Sequence, residues 1–504
     1  MKKLLSLVLA CLMLVGVLAG CGQTATDGTT AAGNDKGETT NIDGTTAAGN
    51  DKGETTNIIW MVRSEEPAHY KEVMEAVNAK LLEDLNMTLD LRFIAPGDYN
   101  TKMQMAMAGG DEWDLCFTSS WSNNYVGAAG KGALLELPPE LLAENAPNVM
   151  ATIPEKLWDG VKVNGDIYAM INYQVMYDQA GMWFLTSALE EQNIDATKIN
   201  SWETLNAAIE KLAAAYPDKY ATRGAGMASP ELWLQEEPIC CILNLPVLMF
   251  DQETKKIDNN KFFELVEPAL QSYKMWKDNN WTPADAATMK DENTLINQGM
   301  ILSRYQRVKP GVETALKENH GQDFTVIPMG KPTINTNAVQ STLTGVNINS
   351  KHPEKAIQMF DYIFSNKEVA NMLFFGLEGQ DYNLVDGRVE RLEGCWTTPQ
   401  WELGNQFNAM LAVGDEEGVW EATMKGNEEA GYDALFGFVP DRTPVETELA
   451  NLEAVWMEYK DILYYGLQDY KTVIPEMMDK MNLAGLEKVT VEMQKQVDAF
   501  LAAK

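Results

Sequence analysis

The chain contains few of the residues from which catalytic and metal centres are built. Only three of its 504 residues are histidines, and no HExxH motif occurs, so a histidine-based zinc site is not expected. It also lacks the GxSxG elbow of α/β-hydrolases, the GxxxxGK[ST] phosphate loop and a D-x-D-x-D-G calcium loop. We therefore expect no catalytic residue, no metal and no cofactor.

Cysteine is scarce, and its spacing excludes two further kinds of site. The chain has six cysteines, and no two of them form a CxxC pair, so neither a zinc ribbon nor a thioredoxin-type motif is present. Two lie near the amino terminus, and the others are Cys116, Cys240, Cys241 and Cys395. We expect these four to be free thiols.

Long hydrophobic runs are missing except at the amino terminus. Lys2 and Lys3 precede an apolar run from Leu4 to Val17, which suits a signal-peptide core and is too short for a permanent transmembrane helix. The run ends in Leu18-Ala19-Gly20-Cys21, which resembles the lipobox of bacterial lipoproteins. That resemblance implies a signal peptide over residues 1–20 and lipid attachment to Cys21. A plain secretory signal is the alternative.

The segment after the signal, residues 21–56, has too few apolar side chains to form a core. The sequence GTTAAGNDKGETTNI occurs twice, at residues 28–42 and 44–58. Burial of such residues cannot offset the entropy lost when the backbone is ordered. We interpret the segment as a flexible linker, and a glycosylated or recognised repeat is the alternative.

Positive charge is in short supply. The chain has 40 Lys and Arg against 73 Asp and Glu, a formal net charge of −33. Such a surface repels nucleic acid and anionic lipid headgroups. We expect no nucleic-acid partner, and contact with the membrane only through the lipid anchor.

The remaining part of the chain has the pattern of a layered α/β protein. About 450 residues are too many for one core and predict two or more domains. An apolar run at 58–62, an alternating apolar–polar pattern at 89–93 and a third strand pattern at 114–118 are separated by residues with helical spacing, which predicts a βαβαβ unit with parallel strands. Further predicted strands lie at 170–185, 299–305 and 324–328, and further predicted helices at 202–216, 262–279, 353–364 and within the tail 447–504.

Several stretches, in their order along the chain, resemble extracellular solute-binding protein family 1 of ABC-type carbohydrate importers. They are IIWMVRSEEPAHYKEV, GGDEWDLCFTSSW, GALLELPPELLAENAPNV, VNGDIYAMINYQVMYD, VIPMGKP, GVNINSKHPEKAIQMFDYIFSNKEV and GLEGQDYNLVDG. The terminal NLAGLEKVTVEMQKQVDAFL resembles a domain of unknown function that a subset of this family carries.

The resemblance implies a two-lobed, hinged, periplasmic-binding-protein-like fold (type II) with the ligand cleft between the lobes. Lobe 1 would comprise 57–170 and 305–375, and lobe 2 would comprise 171–304 and 376–504. It also implies a monomer, not an enzyme, that binds an oligosaccharide or other small solute outside the cytoplasmic membrane and docks on the membrane subunits of an ABC permease.

A sugar presents hydroxyls and apolar C–H faces, so its site needs aromatic rings and side chains that donate and accept hydrogen bonds. Polar and aromatic residues that follow predicted strands, or lie in the family-like loops, are the candidates. They are Arg63, Glu65, Ser119, Ser120, Trp121, Trp183, Glu236, Arg304, Tyr305, Glu378, Asp381, Tyr382 and Trp396. Trp233 and Trp401 are further aromatic candidates.

Three other functions remain open from the residues alone. A peptide-binding protein and a ligand receptor for a sensor kinase would have similar folds, although the 13 tryptophans favour sugar. A glycoside hydrolase would need two carboxylates about 5–10 Å apart. With 73 acidic residues, the sequence does not exclude such a pair.

Overall fold

The computed structural model describes residues 54–224 and 240–504. The predicted signal peptide, Cys21, nearly all of the linker, Trp233 and Glu236 lie outside the described residues. Within the two described ranges, we find no helix with the length and hydrophobicity that crossing a bilayer requires. Within these ranges, Cys116, Cys240, Cys241 and Cys395 form no disulfide bond.

The first stretch of the chain forms most of a five-stranded sheet and the helices that cover it. Its elements are β1 (Thr56–Val62), α1 (Tyr70–Leu85), β2 (Met87–Phe93), α2 (Tyr99–Gly109), β3 (Leu115–Thr118), α3 (Tyr125–Gly130), α4 (Pro139–Asn145), α5 (Pro147–Thr152), β4 (Lys162–Val163), β5 (Asp166–Ile167) and β6 (Ala169–Ile171). In β1, the alternate residues Ile58, Trp60 and Val62 are buried, whereas all four residues of the central strand β3 are buried. Because β3 has neighbours on both sides and layers on both faces, it has no polar alternation.

The second stretch forms a separate layer. Its elements are β7 (Ala180–Leu185), α6 (Thr186–Glu191), α7 (Trp202–Ala215), β8 (Cys240–Cys241), β9 (Met249–Asp251), β10 (Lys256–Asp258), α8 (Lys261–Leu265), α9 (Glu267–Asp278), α10 (Glu292–Asn297), β11 (Ser303–Arg307), α11 (Val312–His320) and β12 (Phe324–Pro328). The strands β11, β7 and β12 form an antiparallel sheet in that order.

The third stretch returns to the first sheet. Its elements are β13 (Thr333–Ile334), α12 (Thr336–Val339), β14 (Leu343–Val346), α13 (Pro353–Ser365), α14 (Lys367–Phe375), β15 (Tyr382–Val385), β16 (Arg388–Arg391), α15 (Val419–Glu429) and β17 (Gly431–Tyr432). The sheet order is β2-β1-β3-β14-β6. The strands β2, β1 and β3 are parallel, as predicted, and β14 lies antiparallel between β3 and β6.

The tail consists of three helices, α16 (Glu446–Tyr464), α17 (Tyr470–Leu483) and α18 (Leu486–Ala503). Their apolar faces belong to the same core as β7, where α16 and α17 contact α9 and α18 contacts β10. In α18 the buried residues are Leu486, Val489, Met493 and Val497, which recur at helical spacing. The tail therefore packs into a hydrophobic core shared with the second stretch of the chain and is not a separate domain.

Two hydrophobic cores organise these layers. The first core takes its buried residues from 58–177 and 334–436, and the second core takes them from 180–329 and 435–497. The two-lobed α/β fold is thus as predicted. The cores divide the chain differently from the predicted lobe bounds, because residues 305–329 pair with β7 and the buried residues within 376–430 pack on the first core.

The chain passes between the cores at three places, which we call the crossing segments: residues 178–179, 330–333 and 431–434. They are joined by main-chain hydrogen bonds. The backbone N–H of Asp178 donates to Thr333 O at 2.9 Å, the reverse bond is also 2.9 Å, and β13 pairs in parallel with β17. One predicted strand, 170–185, is therefore two strands, β6 and β7, separated by the first crossing segment.

Candidate ligand-binding site

The carboxyl ends of β1 and β3 meet at one edge of the first sheet, and both are followed by predicted site residues. Arg63 directly follows β1, and Ser119, Ser120 and Trp121 follow β3. The turn after β3 is held by the Ser119 hydroxyl, which accepts the backbone N–H of Ser122 at 2.8 Å and that of Trp121 at 3.3 Å. The turn presents Trp121 with half of its surface exposed. Ligands of open α/β sheets bind at this kind of edge.

Trp121 belongs to a group of three rings that we call the aromatic platform: Phe117, Trp121 and Trp401. The centroid of Trp121 lies 5.7 Å from that of Phe117 and 6.0 Å from that of Trp401, and Phe117 and Trp401 are 5.6 Å apart. The indole Nε1 of Trp121 donates to Ser341 O at 2.8 Å. Because the ring is fixed by packing and by this bond, an exposed apolar surface is held ready for a ligand.

Arg63 covers part of the platform. The Cζ atom of its guanidinium lies 4.7 Å from the centroid of Trp121, which is within the range of a cation–π contact. Its Nε atom is buried and has no hydrogen-bond partner in the part of the chain that the structure describes. The guanidinium thus meets a ring on one side and leaves one donor unsatisfied.

Glu402 lies beneath Arg63 and is only 1 % exposed. Its Oε2 atom accepts the backbone N–H of Arg63 at 3.1 Å, while its Oε1 atom has no partner among residues 54–224 and 240–504. Burial disfavours the charged form and raises the pKa of Glu402 to about 8, against a smaller opposite effect of Arg63. Near neutral pH this carboxyl is mostly protonated.

Ser119 and Ser120 are placed differently. Ser119 is fully buried, and its hydroxyl donates to Ser122 O at 2.9 Å, so it shapes the turn. Ser120 is half-buried, and its backbone N–H donates to Gln340 O at 2.8 Å. Ser120 therefore stays a candidate for ligand contact, as does Glu65, which is exposed in the loop after β1.

Three of the predicted site residues are buried and have structural roles instead. Trp183 is 0 % exposed and packs at 4.7 Å on Phe324 in the second core. Trp396 is also 0 % exposed, and its Nε1 donates to Leu373 O at 2.8 Å. Asp381 is 0 % exposed because it accepts the backbone N–H groups of Leu377 and Trp396 and pairs with His69 at 2.7 Å. None of the three has surface to offer a ligand.

The remaining described candidates do not contact the platform. Glu378 is exposed and Tyr382 is half-buried, in the loop that Asp381 organises. Arg304 and Tyr305 lie on β11 in the second core, where Arg304 Nη2 forms a 2.7 Å ion pair with Glu292. Ligand contact by these four residues stays a prediction.

A cavity of about 680 Å³ lies elsewhere, at the end of β7. Its lining includes Glu190, Glu313, Asp323 and Glu416, with Phe324 as its single aromatic residue. It shares no residue with the platform. Four carboxylates and a single ring among its lining residues offer a neutral sugar little stacking surface, so the platform is the better candidate for the site.

Residues 64–370 match the family described as bacterial extracellular solute-binding protein, and residues 434–502 match a domain of unknown function (DUF3502). Since the first match covers more than half of the chain, the protein belongs to this family of solute-binding proteins. The tail helices α16–α18 make up most of the second match.

Particular relatives can also be named. A carbohydrate ABC transporter substrate-binding protein of Streptococcus pneumoniae serotype 4 is 24% identical over 451 residues, which cover 87% of this chain and 90% of the relative. The crystal structure of an N-glycan transport solute-binding protein from S. pneumoniae is 24% identical, with a TM-score of 0.79 over 89% of this chain and 99% of that one. An ABC substrate-binding protein from Listeria monocytogenes, in complex with cycloalternan, is 14% identical, with a TM-score of 0.52 over 85% and 98%. These likenesses confirm the fold.

Proposed function

We propose that the protein captures an oligosaccharide between its two lobes, releases it unchanged and delivers it to the membrane subunits of an ABC-type importer. The observation that carries this proposal is the aromatic platform, a half-exposed Trp121 held by Phe117, Trp401 and Ser341 at the ligand-binding edge of a parallel sheet. Rings of this kind match the apolar faces of sugars.

The relatives support a carbohydrate ligand. One is named a carbohydrate transporter subunit, and the S. pneumoniae N-glycan transport protein has been crystallised with Man1GlcNAc and with Man5GlcNAc. A chain that shares this fold over 89% of its length, and has an exposed aromatic platform, is a good candidate for the same class of ligand.

Closure of the lobes would bury the ligand. The crossing segments are short, and main-chain hydrogen bonds join them into a narrow strip. Rotation about such a strip needs changes at few backbone angles, as in hinge motions of other two-domain proteins. Arg304 and Tyr305 on β11 would then approach the platform from the second lobe.

The lipobox and the linker support anchoring on the outer face of the cytoplasmic membrane through Cys21. Two or three acyl chains give stable attachment. Metabolic labelling with palmitate should mark the parent protein and not Cys21→Ala, because alanine has no sulfur to acylate. An unlabelled parent would argue against the lipid anchor.

A glycan panel tests the binding function. Thermal shift of the purified protein should show stabilisation by one or more of Man5GlcNAc, maltotetraose, cellotetraose and xylotetraose, because a ligand that binds only the native state raises its stability. Chromatography of the same mixtures after incubation should return the glycans intact. Shorter products would identify a hydrolase, and stabilisation by peptides alone would identify a peptide-binding protein.

A further inference from the structure

The best surface for a sugar is already occupied in part by a side chain of the protein itself. The guanidinium of Arg63 lies 4.7 Å from the centroid of Trp121, a ring with half of its surface exposed. A cation over an exposed ring is held only weakly, because water competes for the charge. Arg63 can therefore leave the ring at small cost.

A second place for the same guanidinium lies close by. The backbone N–H of Arg63 is bonded to Glu402 Oε2 at 3.1 Å, so the side chain starts next to the carboxyl group and can reach it by rotation about its own bonds. Glu402 Oε1 and Arg63 Nε are both buried without a hydrogen-bond partner in the described ranges. Buried unpaired donors and acceptors are costly, and a pair formed by these two groups would satisfy both.

We propose that a bound sugar ring takes the place of Arg63 on Trp121 and that the displaced guanidinium pairs with the Glu402 carboxylate. This inference rests on the proposed function, since it concerns the same platform. It assigns a specificity role to Glu402. A ligand that does not displace Arg63 neither stacks on Trp121 nor allows the ion pair between Arg63 and Glu402 to form.

Displacement of Arg63 from Trp121 should change the protonation of Glu402. Burial raises the pKa of Glu402 to about 8 while Arg63 covers Trp121. The charged and titratable groups facing Glu402 are Arg63, from the loop after β1, and Tyr99, from α2, whose hydroxyl donates to Met61 O and Phe117 O. A guanidinium brought onto the carboxyl group stabilises its ionised form. Glu402 then releases its proton to solvent as the sugar binds, so affinity increases with pH.

Calorimetry on the tightest-binding glycan of the panel tests the inference. Titrations at pH 7.5 in phosphate and in Tris, which differ in ionisation enthalpy, should show net proton release on binding. Affinity should increase about tenfold between pH 7 and pH 9, as expected for one group with a pKa near 8 that is ionised in the complex. Histidines ordinarily titrate near 6.5 and contribute little in this range.

Two variants separate the inference from the wider proposal. Glu402→Gln keeps the acceptor for the Arg63 backbone N–H, and it should bind the glycan without proton release and with the same affinity at pH 7 and 9. In Arg63→Ala no guanidinium reaches Glu402, so binding should not change the pKa of this carboxyl and the pH dependence should also disappear. Exposed Glu390→Gln is the matched control and should behave like the parent.

Two negative results are distinguishable. If the parent binds a glycan tightly, releases no proton and shows the same affinity at every pH, the displacement of Arg63 is overturned. The proposed function would still stand. Failure of every glycan to bind would overturn the proposed function, and the inference with it.

Discussion

Trp121 shows how much of the site depends on contacts between residues far apart in sequence. Its turn is fixed locally by Ser119, but its indole is bonded to Ser341 and flanked by Trp401. The pattern of a tryptophan after a buried strand therefore predicts the position of the ring. Its neighbours come from segments whose approach the sequence does not indicate.

Replacement of Trp121 by alanine should weaken glycan binding by about 1–3 kcal/mol, because the stacking surface is lost. This corresponds to roughly a 5- to 150-fold increase in Kd, measured by calorimetry. The exposed Leu384 of the same lobe serves as a control, and Leu384→Ala should leave Kd unchanged. An unaltered Kd in Trp121→Ala would remove this ring from the site.

Glu402 should make stability depend on pH. Its folded pKa of about 8 lies above the ordinary value of 4.5, so the folded state holds this proton more tightly than the unfolded state. The stability that this proton contributes is full below pH 4.5 and is lost as pH rises through 8. Because Glu402→Gln is neutral at every pH, it should be more stable than the parent at pH 8.5. The expected difference in the free energy of unfolding is a few kcal/mol, since one pKa unit corresponds to about 1.4 kcal/mol.

Denaturant unfolding at pH 5 and pH 8.5 checks this prediction. The difference between the variant and the parent should nearly vanish at pH 5. Exposed Glu390→Gln should show no such pH-dependent difference. A gap of equal size at both pH values would mean that the substitution acts through packing and not through ionisation.

Only some of the individual residues at the candidate site could be predicted from the sequence. Arg63 and Trp121 were predicted because they follow strands, and the structure brings them together. Glu402 was not, since nothing in a sequence with 73 acidic residues distinguishes the one that becomes 1 % exposed. Trp183 and Trp396 were predicted as ligand contacts because tryptophan suits both a core and a sugar site, and only burial separates the two.

At the scale of elements, hydrophobic periodicity predicted most of the strands and helices that a local pattern can indicate. The strands β1, β2 and β3 and the helices α7 and α13 lie within a few residues of their predicted bounds. The break between β6 and β7 was missed, because the prediction joined the apolar residues on both sides across the polar Asp178 and Gln179. Pairing of β14 between β3 and β6 depends on contacts across more than 170 residues, which local patterns do not contain.

Gly466 links α16 to α17 and tests how closely the tail packs. Its φ is +59°, and an added Cβ would lie 2.4 Å from the backbone O of Tyr273 in α9. Gly466→Ala should therefore destabilise the protein by at least about 2 kcal/mol, since neither backbone can yield without separating the helices. Chemical denaturation measures the loss.

Gly379 is a matched control for this substitution. It also has a positive φ, +79°, but nothing lies within 4 Å of an added Cβ. Gly379→Ala should cost only about 1–2 kcal/mol, the ordinary penalty for a side chain in the left-handed region. Equal losses in the two variants would show that α9 and the tail are not in close contact.

On the scale of the whole molecule, the domain of unknown function closes the second core. In α18 the residues Leu486, Val489, Met493 and Val497 are at most 2 % exposed, and Gln494 accepts the backbone N–H of Ile257 at 2.7 Å. The domain thus supplies one wall of the lobe that carries β11. We expect the domain to contribute to binding indirectly, because it completes the hydrophobic core of that lobe.

Removal of residues 486–504 should prevent the second lobe from folding. Four fully buried apolar side chains are lost, at about 2–5 kcal/mol each, which approaches the whole stability of a typical domain, about 5–15 kcal/mol. Thermal melting followed by circular dichroism should show a lost or strongly lowered transition, together with lost glycan binding. Exposed Leu483→Ser and Val491→Ser should leave the melting temperature unchanged. A truncated chain that melts like the parent would contradict this role of α18.

The position of β14 also has a consequence for how the chain is made. A polypeptide that leaves the cell amino end first presents β3 long before residues 343–346 arrive to fill the place beside it. Until then β3 has an open edge, and open edges recruit strands of other chains. We therefore expect the first sheet to form late and slowly, and a chain stalled during export before residue 346 to be especially prone to aggregate.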